Sequence, residues 1–140
     1  MILKPFAAAI LAASLATVGT PGLAQSARPG VVVQVSDDNE KSWSQALNVV
    51  RNIQAEYGKD NVDVELVVFG NGAGMLKFDS PLANRVDDTL AAGAQVKMCQ
   101  NSMKARQLTA ADMHARVDFV KAGVVEIIEK QKQGWSVVRP

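Results

Sequence analysis

A chain of 140 residues with 15 Lys and Arg against 14 Asp and Glu is long enough for one core and too evenly charged to hold nucleic acid by neutralising phosphates. Its single Cys excludes a disulfide within the chain. One Cys and one His also exclude a zinc site built from soft ligands, so neither a metal nor a cofactor is expected.

The first residues have the layout of a secretory signal peptide. Lys4 supplies a positive start, Phe6 to Val18 is uncharged and apolar, and Gly19, Pro21 and Gly22 break the run. Gly22-Leu23-Ala24 places small residues at −3 and −1 of a cleavage site. The run falls short of the ~20 apolar residues needed to span a bilayer as a helix. Cleavage after Ala24 is therefore expected, with export across the cytoplasmic membrane, a periplasmic location and no membrane attachment afterwards. Lys4 leaves with the signal, so the remaining 116 residues carry 14 basic and 14 acidic side chains and no net charge.

Residues 25–30 read as a polar, flexible leader, and residues 31–140 as one domain. Val31–Val35 is an apolar β-branched run, the pattern of a buried strand. Ser36-Asp37-Asp38-Asn39 ends it and offers helix caps. Trp43, Ala46, Leu47, Val50, Ile53 and Tyr57 recur at helical spacing, and Gly58 closes that helix. Val62–Phe69 predicts a second strand, more buried toward its end, and Gly70–Gly74 a flexible loop. Ser80-Pro81 opens a helix whose inner face carries Leu82, Val86 and Leu90, ended by Gly93. Ala94–Met98 predicts a third strand that delivers Cys99 at its end, followed by a polar loop to Arg106. Thr109-Ala110-Ala111-Asp112 is a capping box with Asp in place of Glu, hence a short helical turn. Val117–Val120 is a short fourth strand. Gly123 precedes a helix with Val124, Ile127, Ile128 and Gln131 on one side, Gly134 stops it, and Trp135–Val138 is a last strand.

Strands and helices alternate throughout. That order predicts an α/β fold, a doubly wound, mostly parallel sheet of about five strands with helices on both faces. Ligands gather beyond the carboxyl ends of such strands. Three segments should meet there: Ser36–Asn39, Gly70–Gly74 and Cys99–Arg106.

Cys99 is the leading candidate for chemistry. An odd thiol in an exported protein is a buried residue, an intermolecular bridge or a reactive group. Lys97, Lys104 and Arg106 lie near it in sequence, and the N–H groups of the following turn, around Asn101 and Ser102, favour the thiolate. A cysteine that merely packs is the alternative. His114 has no carboxylate or amide placed to orient it and reads as a surface histidine. Gly70 and Gly72 lack the spacing of a phosphate-binding turn and read as part of a strand-end cleft with Ser36, Asp37 and Asp38. Helix capping and solvation account for the two aspartates more simply than a cation does. Trp43 and Trp135 read as core or subunit-contact residues.

In order and spacing these segments resemble the DsrE/DsrF-like family of small sulfur-relay proteins. The resemblance is carried by Val33-Gln34-Val35-Ser36-Asp37-Asp38, by Trp43, Ala46, Leu47 and Asn48, and by Val67-Val68-Phe69-Gly70 and Asp79-Ser80-Pro81. It continues through Cys99-Gln100-Asn101-Ser102-Met103, Ala122 to Ile128 and Gln133-Gly134-Trp135, and is nearer the exported branch than the cytoplasmic relay subunits. It implies a doubly wound sheet of about five strands and a homo- or hetero-oligomer, often a trimer or hexamer. It also implies a persulfide-carrying cysteine after a central strand, the position of Cys99, with donor and acceptor proteins or small thiols as partners. Because the known relays are cytoplasmic, the donor and acceptor of an exported member are open.

Two functional classes follow. One is a sulfur carrier or sulfurtransferase-like protein holding sulfane sulfur on Cys99. The other is a non-catalytic oligomeric module that binds a small ligand or a protein, with Cys99 structural. A redox-sensing thiol that bridges subunits is a third.

Overall fold

The computed structural model describes Ile2 and residues 28–140; the rest of the expected signal peptide and residues 25–27 of the leader lie outside the described residues. Val31–Val35 lies inside β1, Gly30–Val35, which starts one residue ahead of the expected run. The next elements are α1 (Glu40–Tyr57), β2 (Asp63–Val68), a 3-10 helix over Gly70–Leu76, α2 (Ala83–Ala91) and β3 (Gln95–Cys99). They are followed by α3 (Gln100–Ala105), a 3-10 turn at Ala110–Asp112, β4 (Asp118–Val120), α4 (Gly123–Lys132) and β5 (Ser136–Val138). The five strands form one sheet in the order β4-β3-β2-β1-β5, and every neighbouring pair is parallel. The expected α/β architecture is present, with helices on both faces.

Local chemistry sets most boundaries. Asn39 caps α1, its Oδ1 accepting from the Lys41 and Ser42 amides. The Thr109–Asp112 capping box forms, with both reciprocal hydrogen bonds in place. Ser80 Oγ accepts from the Leu82 amide at 3.3 Å, but the helix proper starts two residues beyond Pro81.

The two faces of the sheet differ. Val31, Val33, Val35, Val64, Leu66, Val68, Val96 and Met98 point into a large core closed by Trp43, Ala46, Leu47 and Val50 of α1 and Val86 of α2. On the other face α4 buries only Ile127 against Val32 and Val67, with Phe69, Trp135 and Val137 at the margin. The Trp135 ring lies on Gly30, where a Cβ would come within 2.1 Å of it. On this thin face Val124 and Ile128, which share one side of the last helix with Ile127, are 51% and 44% exposed.

Two expected loops are ordered helically. Gly70–Gly74 belongs to the 3-10 helix because Ala73, Met75 and Leu76 are fully buried and anchor it. The polar loop after Cys99 is α3, held down by Met103.

Leu66 sits at the centre of β2, between Val33 and Val96, with no exposed surface. Leu66→Ala should lower unfolding stability by about 2–5 kcal/mol through lost burial and a cavity. Urea denaturation checks this, and an unchanged midpoint would contradict the packing described.

Candidate functional site

β3 and β4 run side by side, with Cys99 opposite Val120. Their continuations leave the sheet toward opposite faces. After Cys99 the chain enters α3, whose Met103 joins the α1–α2 core; after Val120 it enters α4 on the other side. Where neighbouring parallel strands send their connections to opposite faces, a crevice opens between their carboxyl ends, the usual ligand position of an open α/β sheet. Cys99 stands at that point.

The sulfur is enclosed but not isolated from polar groups. Cys99 is 4% exposed, and its Sγ lies 4.0 Å from the Lys121 carbonyl oxygen. Burial pushes the thiol up. That effect is outweighed by the neighbouring Ser102 hydroxyl and the Gly123, Ser102 and Asn101 amides, which favour the anion and hold the pKa below the ordinary thiol value. Ser102 Oγ accepts the Gly70 amide at 2.7 Å, which leaves its own proton free to point at sulfur. The Asn101 amide also reaches the Lys121 carbonyl at 3.1 Å and ties the two strand ends together. Gly123 makes the approach of α4 sterically possible. A Cβ there would stand 3.0 Å from Phe69 Cβ and 3.3 Å from Cys99 Cβ.

Of the cations near Cys99 in sequence, Lys97 and Arg106 are engaged elsewhere. Lys97 Nζ lies 3.1 Å from Glu65 and 3.3 Å from Glu126. The Arg106 guanidinium is hydrogen-bonded to Asn71 Oδ1. Lys104 is exposed in the last turn of α3. Among the described residues the thiolate surroundings are thus amide and hydroxyl dipoles.

The three strand-end segments meet, through Gly70 to Ser102, Asn71 to Ser36 and Arg106 to Asn71, yet they border two separate clefts. One, of about 340 Å³, is lined by Asn101, Val120, Lys121, Ala122, Val125 and Glu126, which neighbour Cys99 in the chain or across the strand pair, while Cys99 itself is not part of the lining. The other, of about 290 Å³, is lined by Asp38, Asn71, Gly74, Lys77, Arg106 and Leu108. Ser36, Asp37, Gly70 and Gly72 line neither. The Asp37 carbonyl accepts the Trp43 indole N–H at 2.7 Å, and Gly72 is buried where a Cβ would stand 3.0 Å from Val35. His114 is not the free surface histidine expected. Its side chain is 10% exposed, and Nε2 is 3.3 Å from Asp87 of α2.

Sequence reasoning passed over Gly123, Glu65, Glu126 and Lys130. Gly123 carried a signal, a glycine opening a helix directly after a strand, and it was read only as a boundary. The charged residues carried none, because their partners lie far along the chain.

The model of the DsrE/DsrF-like family matches residues 30–140. No curated protein matches the chain at a significant level. Among solved structures, MTH1491 from Methanobacterium thermoautotrophicum, described as a protein of unknown function, is 28% identical. The match covers 80% of this chain and 99% of that one, with a TM-score of 0.76. The ychN protein from E. coli is 15% identical, covering 81% and 100%, with a TM-score of 0.66. BT1422 from Bacteroides thetaiotaomicron, a conserved protein of unknown function, is 14% identical, covering 84% and 99%, with a TM-score of 0.62. The last two share the fold.

With the thiolate favoured, the pH midpoint of Cys99 alkylation in the native protein should lie below ~8.5, the value of a free cysteine. Ser102→Ala removes the side-chain donor and should raise that midpoint by about one unit, the equivalent of one charge-assisted hydrogen bond. Iodoacetamide rates measured across pH decide it; identical midpoints would remove Ser102 from the sulfur's surroundings.

Proposed function

The chain belongs to the DsrE/DsrF-like family, which is broadly tied to sulfur relay, and from that premise we propose that it is an exported persulfide carrier working through Cys99. The observation that carries this reading is the place of Cys99 at the end of β3, beside Val120 of β4, with Gly123 at the start of α4 packed against it and surroundings that favour its thiolate. A cysteine kept only for packing needs no such surroundings.

In the first step the Cys99 thiolate attacks the outer sulfur of a sulfane donor such as thiosulfate. A new S–S bond forms, the donor's S–S bond breaks, and sulfite leaves with the electron pair. Cys99 then holds a persulfide anion at the amides that held the thiolate. In the second step an acceptor thiolate attacks the outer sulfur, and Cys99 departs as thiolate. No net oxidant or reductant is required. The cleft bordered by Val120, Ala122 and Val125 offers the attacking group a partly apolar approach beside Cys99.

Treatment of the mature protein with thiosulfate or polysulfide should add one sulfur atom to Cys99 by mass, and Cys99→Ser should take up none while keeping the fold. A wild-type mass that never changes, with the thiol alkylated only after denaturation, would leave the binding module as the better account.

Export and assembly belong to the same proposal. The apolar run from Phe6 to Val18 supports cleavage after Ala24, and the exposed Val124, Val125 and Ile128 along α4 support a neighbouring subunit there. Protein from the extracytoplasmic fraction should begin at Gln25 and scatter light as a trimer or larger. Intact Met1 would end the export proposal, and a monomer at micromolar concentration would end the assembly proposal.

A further inference from the structure

Glu65 is the one charged side chain among the described residues that is completely buried. It lies in mid-β2, level with Val32 of β1 and Gln95 of β3, and turns toward the face under α4. Its Oε2 is 3.1 Å from Nζ of Lys97 and 3.1 Å from Nζ of Lys130. Glu126 Oε1 completes the group, 3.3 Å from Lys97 and 3.9 Å from Lys130. The Lys130 ammonium also stands 4.2 Å from the centroid of the Trp135 ring. Two carboxylates and two ammonium groups balance, one of each from the sheet and one of each from α4. Neither Glu65 oxygen has an aligned hydrogen-bond donor, so the contacts are ionic.

A buried ion cluster is a weak source of stability, because desolvation offsets much of the attraction and apolar residues of the same size pack as well. What it supplies is direction. The apolar contact of α4 with the sheet is Ile127 against Val32 and Val67, and apolar contact alone is non-directional. Glu126 and Lys130 add two contacts that fix how far the helix slides and turns. Gly123, the first residue of α4, lies one turn before Glu126, and a Cβ on it would stand 3.0 Å from Phe69 and 3.3 Å from Cys99 and Val67.

We propose that Glu65, Lys97, Glu126 and Lys130 act together as positioning residues, locking α4 on the sheet so that the Gly123 amide faces the Cys99 sulfur. This rests on the reading of Cys99 as the reacting group. Burial pushes the Lys97 ammonium down, but Glu65 and then Glu126 outweigh it and hold its pKa above the ordinary lysine value. In the wild-type protein Lys97 therefore stays charged while the thiol titrates.

Charge and position predict opposite signs. Glu65→Gln leaves Lys97 and Lys130 with one carboxylate between them. By Coulomb attraction alone the added positive field lowers the thiol midpoint; a loosened α4 raises it. The double variant Glu126→Gln/Lys130→Met removes one charge of each sign, strips both arms from α4 and leaves the Glu65–Lys97 pair in the sheet. Iodoacetamide rates across pH are measured on the full mature chain, with circular dichroism reporting the fold. Both variants should raise the Cys99 midpoint by about one unit, making alkylation at neutral pH about tenfold slower. Lys130→Arg, which restores a cation to Glu65, should keep the wild-type midpoint. If the double variant does not fold, Glu65→Gln, in which charge and position act in opposite directions, decides alone. A low wild-type midpoint that stays put or falls in the folded variants overturns the positioning role and leaves Cys99 as the reacting group. A native wild-type midpoint at the free-cysteine value overturns both.

Discussion

A sulfur enclosed as Cys99 is has lost most of the water that would solvate its anion, and only fixed dipoles can take water's place. Those dipoles come from two helix starts. Asn101 and Ser102 open α3 and arrive with the chain that carries the cysteine, so their placement is local. Gly123 opens α4 and arrives after a strand and two turns of chain, so its placement depends on how α4 meets the sheet. The site thus rests on a packing relation between distant segments. Gly123 is the residue that permits it, because any side chain there would meet Phe69 or Cys99 first.

The sheet topology explains why both helix starts reach one point. α1 and α2 carry the chain across the sheet on one face, from β1 to β3. Had α4 packed on that same face, Cys99 would end a strand under a continuous helix layer. Instead β4 sends the chain back to β5, beside β1, through a helix on the other face. The change of face occurs between β3 and β4, where the cysteine and the α4 start are adjacent. The same step leaves α4 as the sole helix on its side among the described residues, with a narrow apolar contact and an ionic one beneath it.

The sequence displays whatever depends on near neighbours. The β-branched runs, the Asn39 and Thr109 caps and the position of Cys99 at a strand end are all local patterns, and they stand where their residues placed them. Glu65 shows the opposite case. In Val-Asp-Val-Glu its alternation with apolar neighbours marks a residue turned away from the α1–α2 core, and that much is correct. Whether the other side is solvent or helix depends on Lys130, far along the chain. Gly70–Gly74 departs from its sequence pattern for a related reason: its glycines suggest freedom, while the order comes from Ala73, Met75 and Leu76 sinking into the core. The cations flanking Cys99 mislead because proximity in sequence says nothing of direction, and Lys97 points at carboxylates that only the fold brings to it.

Dipoles and a cation are not equivalent supports for this chemistry. A carrier's cysteine must attack a donor as a nucleophile and later depart as a leaving group. A thiolate stabilised too strongly leaves well and attacks poorly, since intrinsic nucleophilicity falls with pKa. A lysine ammonium in contact with sulfur acts over a long range in a low dielectric and favours the anion strongly. Amide and hydroxyl donors act at hydrogen-bond range, and here burial opposes them. The result is a thiol favoured toward the anion without being fixed in it. In the proposed carrier a persulfide would keep its inner sulfur among these donors while the charge moved one atom outward, away from them. Glu65 and Glu126 hold the Lys97 ammonium in ion pairs, so its charge is already balanced by carboxylates.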